Sequence, residues 1–387
     1  MTALAINSSP QSILHRAGAF IVLAAALTSL GYSVWAGELS FLAIYVVCVV
    51  CGSAIALRTA GAEFGQANAL SLFLIVFSVN VVMIVAFAHV LTGLTGGPFL
   101  DAPQGVIPDD ERFYGYGTSI AHAWLRGETP EFPLGVKFYG YPYILAACNA
   151  FSAYFGDMSP VSPRLLNAAV GALLPLTIYR IALLTYEDRQ VARTAALLTA
   201  LFPVFAFYSS LLLRDMIVAY LVAVAILVFL KSVNTDGSAS RAAQVGMLGL
   251  VLAGLFFVRD LSAFVPLAGF AIYIFARQPG WAKFVLLVVA AVLVVQVMAA
   301  LDMDAPKIRM YLTYTERAME VFARIESQDS LGMRYIIGAP FPFNIALRIP
   351  YTALMPIPPI VGTDLLNIVR GSGATIWYFL FPLWVYG

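Results

Sequence analysis

Charge is what this sequence lacks. Asp, Glu, Lys and Arg make up only 11% of its 387 residues, less than half their share of about 25% in soluble domains. A soluble chain of this length would form two or three domains, each with a charged surface, and there is too little charge here to cover one. The hydrophobic share of 61% equally excludes a disordered chain. Net charge is +1, which leaves no electrostatic footprint for nucleic acid. Cysteine is scarce: Cys48, Cys51 and Cys148 cannot form a disulfide framework. Cys48 and Cys51 make a C-x-x-C, but inside the apolar run AIYVVCVVCGSAIAL. With three histidines in the chain and none nearby, they read as packed membrane cysteines rather than a zinc site. Phosphate-binding glycine loops are missing too. Gly115 and Gly117 begin a GxG, but Ile120 stands where the third glycine would be.

What the sequence has is long apolar runs and a mean hydropathy of +0.87. A helix needs about 20 apolar residues to cross the hydrocarbon core. By that measure candidate spans fall near 14–35, 39–57, 70–92, 164–183, 194–212, 216–231, 243–258, 261–276, 283–301, 346–362 and 372–387. The expectation is an all-α polytopic membrane protein with about eleven transmembrane helices. Val34-Trp35-Ala36 is a passable cleavage pattern. The first apolar run is nevertheless long for a signal peptide, so it reads as a retained helix.

Basic residues orient the spans. With the N-terminus inside, the inner connections hold Arg16, Arg58, Arg180, Arg189, Arg193, Lys231, Arg241, Arg277, Lys283 and Arg370, against only Glu63, Glu187, Asp188 and Asp236. Two long segments, about 93–163 and 302–345, then face outward.

The first outer segment contains GVIPDDERFYGYGTSIAHAWLRGE. Asp109, Asp110 and Glu111 stand where a loop becomes a short amphipathic helix near 110–125, with Phe113, Ile120 and Trp124 at the spacing of one apolar face. Acids at this point also suit a helix N-terminus for ordinary capping and dipole reasons. Next come Lys137, Phe138, Tyr139, Tyr141 and Tyr143, leading an apolar stretch over 141–156 that is too short to span. It reads as a re-entrant or interfacial helix whose aromatics form either a headgroup belt or a platform for a lipid-linked sugar. Two Arg-Asp dipeptides, Arg214-Asp215 and Arg259-Asp260, interrupt apolar runs on the same side. Each is either a structural ion pair closing a turn or a charged group facing a cavity. His122, on the amphipathic helix, reads as a surface or packing histidine. The expected orientation therefore gathers carboxylates and arginines on one face. A carboxylate can serve as a base toward a hydroxyl, and arginines can hold a phosphate through bidentate bonds.

Three stretches resemble the GT-C superfamily of integral-membrane glycosyltransferases, in the branch containing protein O-mannosyltransferases and lipid A aminoarabinose transferases. They are PDDERFY, then SPVSPRLLNAAVGALLPLTIYRIALLTYEDRQVARTAALLTALFPVFAFYSS, then SSLLLRDMIVAYL. The resemblance covers roughly residues 70–300 as a core, with 1–69 as two added helices, 302–345 as a second outer loop and 346–387 as C-terminal helices. It implies an inverting transfer from a polyprenyl-phosphate sugar to a glycan, lipid or protein acceptor at the outer face of a bacterial inner membrane. It places the catalytic base on Asp109 or Asp110, with Asp110 preferred. Donor-phosphate and substrate contacts fall on Arg214, Asp215, Arg259, Lys137, Glu111 and Tyr139. Some members hold a divalent magnesium or manganese ion on outer carboxylates, here Asp109, Asp110 and Asp215, and others need none. The acidic loop follows the third span rather than the first, and no match to the C-terminal soluble domain of many members is seen. Two other readings share these features: a polymerase or ligase taking lipid-diphosphate glycans, and a flippase, against which the one-sided charge and the lack of a repeat count.

Overall fold

The computed structural model describes residues 10–95, 98–99, 109–130, 140–235, 237–277 and 280, and every regular element among them is helical. The helices are α1 (Pro10–Ala36), α2 (Leu39–Phe64), α3 (Gln66–Thr95), α4 (Asp109–Arg126), α5 (Gly140–Ala153), α6 (Arg164–Tyr186), α7 (Arg189–Leu201), α8 (Pro203–Ser209), α9 (Asp215–Asn234), α10 (Ser238–Val258) and, after a 3-10 turn at Asp260–Ala263, α11 (Phe264–Arg277). Six of them are long and apolar enough to cross a membrane, or seven if α7 and α8 count as one bent span. This is the all-α membrane class expected, since only helices satisfy their backbone bonds within a single apolar segment. The chain divides into two compact units, Met1–Ala268 and Gly269–Gly387. The first holds α1 to α10, the 3-10 turn and the start of α11.

Two expected spans come out differently. The run near 194–212 is not one straight helix: α7 and α8 meet at a 54° bend. Pro203 explains it. Proline has no N–H to donate and clashes with the preceding turn, so it starts α8 instead of continuing α7. Phe202, the residue before it, is pushed out of the helical region to φ −72°, ψ 111°. The run near 261–276 forms the 3-10 turn and α11, only 14 residues long. At 1.5 Å per residue that is about 21 Å, short of the roughly 30 Å core. The expected spans 283–301, 346–362 and 372–387, and the second loop, lie outside the described residues.

The axis of the unit is α6, which packs against α2, α3, α7, α8 and α9. It is 61% buried, whereas α1 is 17% and α10 is 11% buried over their spans. Its sequence suits the position: Ala168, Ala169 and Ala172 keep its surface low, so Phe41 of α2 and Phe73 and Phe77 of α3 pack close. Apolar driving force between helices is weak in lipid, and such close approach of small residues is what holds spans together. Of the three cysteines, all unpaired, Cys48 is buried on α2 as expected, but Cys51 is exposed.

Two glycines set α4 and α5 in place. A Cβ on Gly117 would stand 2.7 Å from Leu145 Cβ, inside any normal contact, so only glycine lets α4 and α5 cross here. Ile120, Ala121 and Ala146 are buried at that crossing. At the start of α5, a Cβ on Gly140 would strike the Phe257 carbonyl near the end of α10.

Candidate functional site

The three acids at the start of α4 are not equivalent. Asp109 is exposed and pairs with Arg112 one turn on. Glu111 is exposed. Asp110 is turned inward and has no exposed surface, and its Oδ1 accepts the Glu111 N–H at 3.0 Å. Helical geometry separates these fates, because consecutive residues sit about 100° apart around the axis. Only one of three adjacent carboxylates can face the bundle.

What it faces is Arg164, the first residue of α6, which is also fully buried. The Arg164 Nη2 donates to the Pro98 carbonyl. Its Nε and Nη1 make no hydrogen bond among the described residues. The guanidinium lies within electrostatic reach of the Asp110 carboxylate and of the Tyr32 and Tyr141 hydroxyls. An isolated charge cannot be buried without large cost. The Asp110 carboxylate is the charge that compensates Arg164.

Around this pair a polar network joins segments far apart in sequence. The backbone N–H of Ser40 donates to Asp157 Oδ2 at 3.1 Å, and its hydroxyl donates to Oδ1 of the same carboxylate. The Ser40 and Ser162 hydroxyls lie 2.8 Å apart. Tyr32 donates to Glu38 Oε1 at 3.3 Å. Tyr114 of α4 donates to the Met158 carbonyl. Burial pushes the Glu38 carboxyl above its ordinary pKa, and the Asp157 charge adds to the rise. The Ser159 and Tyr32 hydroxyls oppose it. The turn between α1 and α2 therefore belongs to the same polar end of the bundle as Asp110 and Arg164.

The second half of the site hangs on Asn167, one turn into α6. Its side-chain nitrogen donates to the Leu211 carbonyl at 2.6 Å and the Leu213 carbonyl at 2.9 Å, and it lies 3.0 Å from the Tyr141 hydroxyl. These bonds hold the non-helical stretch after α8, which carries Arg214. The Arg214 guanidinium then sits over the Phe113 ring, 5.3 Å from its centre. Phe113 is one turn along α4 from Asp110. The neighbouring Asp215 accepts from Arg259 Nη1 at 2.9 Å. The two Arg-Asp dipeptides are thus not both closed on themselves: Arg259 reaches across to Asp215, tying the end of α10 to the start of α9. Both partners are about half exposed, so the pair remains open to a ligand.

Asp110, Arg214, Asp215 and Arg259 therefore gather at one end of the helical unit. Asp109 and Glu111 flank them on the surface. Lys137 and Tyr139 lie outside the described residues. His122 is exposed. Among the described residues, no three His, Cys, Asp or Glu side chains come close enough to hold a metal ion, so the trio Asp109, Asp110 and Asp215 does not form a ligand set. Sequence reasoning missed Glu38, Asp157, Ser162, Arg164 and Asn167 as members of the cluster. For Asn167 a signal existed: a polar side chain inside an apolar span needs a partner. No family model, curated protein or solved structure matches this chain.

Proposed function

We propose that the protein is an inverting membrane glycosyltransferase that moves a sugar from a polyprenyl-phosphate carrier to a glycan, lipid or protein acceptor. In this reading the N-terminus is inside, and the Asp110 cluster lies at the outer face of a bacterial plasma membrane. The observation that carries it is one enclosed carboxylate, Asp110, beside arginines that differ in exposure. Arg164 is sealed and compensates Asp110, while Arg259 is half exposed.

In the reaction, Asp110 takes the proton from an acceptor hydroxyl. The hydroxyl oxygen attacks the anomeric carbon from the face opposite the phosphate. The bond between that carbon and the phosphate oxygen breaks, configuration inverts, and polyprenyl phosphate departs with the electron pair. Arg214 and Arg259 suit the departing phosphate, because guanidinium–phosphate bonds are charge-assisted and can be bidentate. Asp215 orients Arg259. Asp110 is closed to solvent, so acceptor entry has to displace the side chains that cover it. The contact of Arg214 with Phe113 uses the face of the guanidinium and not its N–H edge.

The test is transfer of radiolabelled sugar from undecaprenyl-phosphate hexoses and pentoses into an envelope fraction by purified protein. Asp110→Asn should remove transfer, and Asp109→Asn should leave most of it. Because Asp110→Asn strands the Arg164 charge, Asp110→Asn/Arg164→Gln serves as a second variant whose size-exclusion profile should match the wild type while transfer stays absent. Full transfer by a folded Asp110→Asn protein refutes the assignment. Transfer from lipid-diphosphate but not lipid-monophosphate donors would move the protein to the polymerase or ligase reading.

A further inference from the structure

A cavity of about 970 Å³ lies between α1, α3, α6, α7 and α8, lined from Phe64 and Arg193 at one end to Asn80, Gly171 and Ser209 at the other. That is near the upper end for small-molecule sites, which run to roughly 1,000 Å³ and pair an apolar wall with a few placed polar groups. Here the wall is Val22, Leu72, Ile75, Leu197 and Phe205. The polar side chains along it are mostly spoken for. Asn68 donates to the Phe64 carbonyl at 3.0 Å, Asn80 to the Ala168 carbonyl at 3.2 Å, and Thr199 to the Ala195 carbonyl at 2.8 Å. The Ser209 hydroxyl on the lining is buried without a partner among the described residues, but the rest of the wall is apolar and offers water few partners. Hydrocarbon would fit. The α1 wall is open to the bilayer, with Leu23 57% exposed, and the bend between α7 and α8 keeps this space from closing.

One charged residue lines the cavity: Arg193. It is exposed and makes no ion pair among the described residues. Arg189 lies four residues earlier on α7, hence on the same helix face. The nearest acid in sequence, Asp188, has an oxygen that accepts the Gln190 and Val191 N–H groups as the cap of α7. An apolar slot lined by Arg193, with Arg189 one turn away on the same helix face, has the charge pattern of a basic pocket that takes an acidic headgroup.

We propose that this cavity binds a phospholipid of net negative charge, its acyl chains in the slot and its phosphodiester on Arg193. A zwitterionic lipid offers the same phosphate but brings an ammonium group toward Arg189 and Arg193, which disfavours it. The polyprenyl phosphate of the proposed reaction is a different ligand, because its arginines, Arg214 and Arg259, do not line this cavity. On the proposed topology the phospholipid comes from the inner leaflet. The inference does not depend on the glycosyltransferase reading.

The test is native mass spectrometry of the full-length protein released from micelles containing phosphatidylglycerol, phosphatidylethanolamine or undecaprenyl phosphate. The wild type should retain one phosphatidylglycerol in clear preference to phosphatidylethanolamine. Arg193→Gln should cut that preference about fivefold, the scale of one basic residue at an acidic headgroup, and Arg193→Lys should keep most of it. Ala200→Phe, which fills the slot and leaves the arginines, should remove retained lipid while the helical circular dichroism stays unchanged. Equal retention of both phospholipids would overturn the proposal. So would displacement of phosphatidylglycerol by equimolar undecaprenyl phosphate, or a preference that survives both Arg193→Gln and Ala200→Phe. A photoreactive group at Leu197 that links to residues 281–387 in place of added lipid would overturn it as well, showing that the chain fills its own slot.

Discussion

The pairing of Arg164 with Asp110 makes a quantitative claim about stability. Both side chains are fully buried, and the only hydrogen bond the Arg164 side chain makes among the described residues is to the Pro98 carbonyl. If Asp110 supplies the compensating charge, Asp110→Asn takes that charge from the buried guanidinium, and Arg164→Gln takes from the buried carboxylate the cation that offsets it. Breaking a buried pair from either side costs about 3–5 kcal/mol. Removing both charges costs less than the sum, because the double variant strands neither. At an effective dielectric near 20, two unit charges within about 8 Å are worth on the order of 2 kcal/mol or more, and a coupling of about 2 kcal/mol is expected. The assay is reversible unfolding in mixed micelles titrated with SDS, followed by helical circular dichroism, on the wild type, both single variants and the double variant. Additive costs, agreeing within about 0.5 kcal/mol, would show that the two groups do not sense each other. The account of how Arg164 tolerates burial would then be wrong.

Two other consequences are open to direct measurement. Glu38 is a half-buried acid with a raised pKa, so the fold favours its protonated form. Its contribution is full below the unfolded value of about 4.3 and is lost as pH rises through the folded value. Glu38→Gln mimics the protonated form, so its melting temperature should exceed that of the wild type near neutral pH and converge with it below about pH 4; an offset constant with pH would contradict this. Asn167→Leu should cost roughly 2–6 kcal/mol, because it leaves the Leu211 and Leu213 carbonyls without their donor at about 1–3 kcal/mol each. Hydrogen exchange over residues 210–214 should quicken in that variant, and unchanged exchange there would show that Asn167 does not hold the Arg214 turn.

Most of the helical layout was legible in the amino-acid order, because hydropathy and length decide which segments can span. The runs at 39–57 and 164–183 became α2 and α6 with shifts of a few residues at most ends. The acidic loop-to-helix transition became α4 starting at Asp109, and the short apolar stretch at 141–156 became α5. The bend at Pro203 was also written locally, in a proline preceded by a phenylalanine that cannot stay helical, but counting apolar residues hides it. The site was legible only in part. Asp110, Arg214, Asp215 and Arg259 stood out as charges in an apolar chain. Nothing local distinguishes Asp110 from Asp109, because that difference depends on which way α4 rolls against α5, set by Gly117. Nor does any spacing predict that Arg259 crosses to Asp215, or that Glu38 and Asp157 join the same end. Those pairings depend on how distant helices stack, and a hydropathy profile contains no such information.

The bond from Ser40 to Asp157 spans 117 positions, and that span has a bearing on how the protein is made. Chains of this class emerge and insert from the N-terminus, one segment after another. When α1 and α2 enter the bilayer, Glu38 and Ser40 arrive without Asp157 and Ser162. Arg164 is synthesised 66 residues after the Pro98 carbonyl it will bind. The polar end can therefore assemble only once α6 has been delivered, and until then its charged groups must be kept in water or held by the insertion machinery. Truncations ending before α6 should leave the first two helices exposing an unfinished polar seam, a natural target for quality control. The proposed reaction centre is completed later still, when Arg214 and Asp215 arrive with α9 and Arg259 with the end of α10.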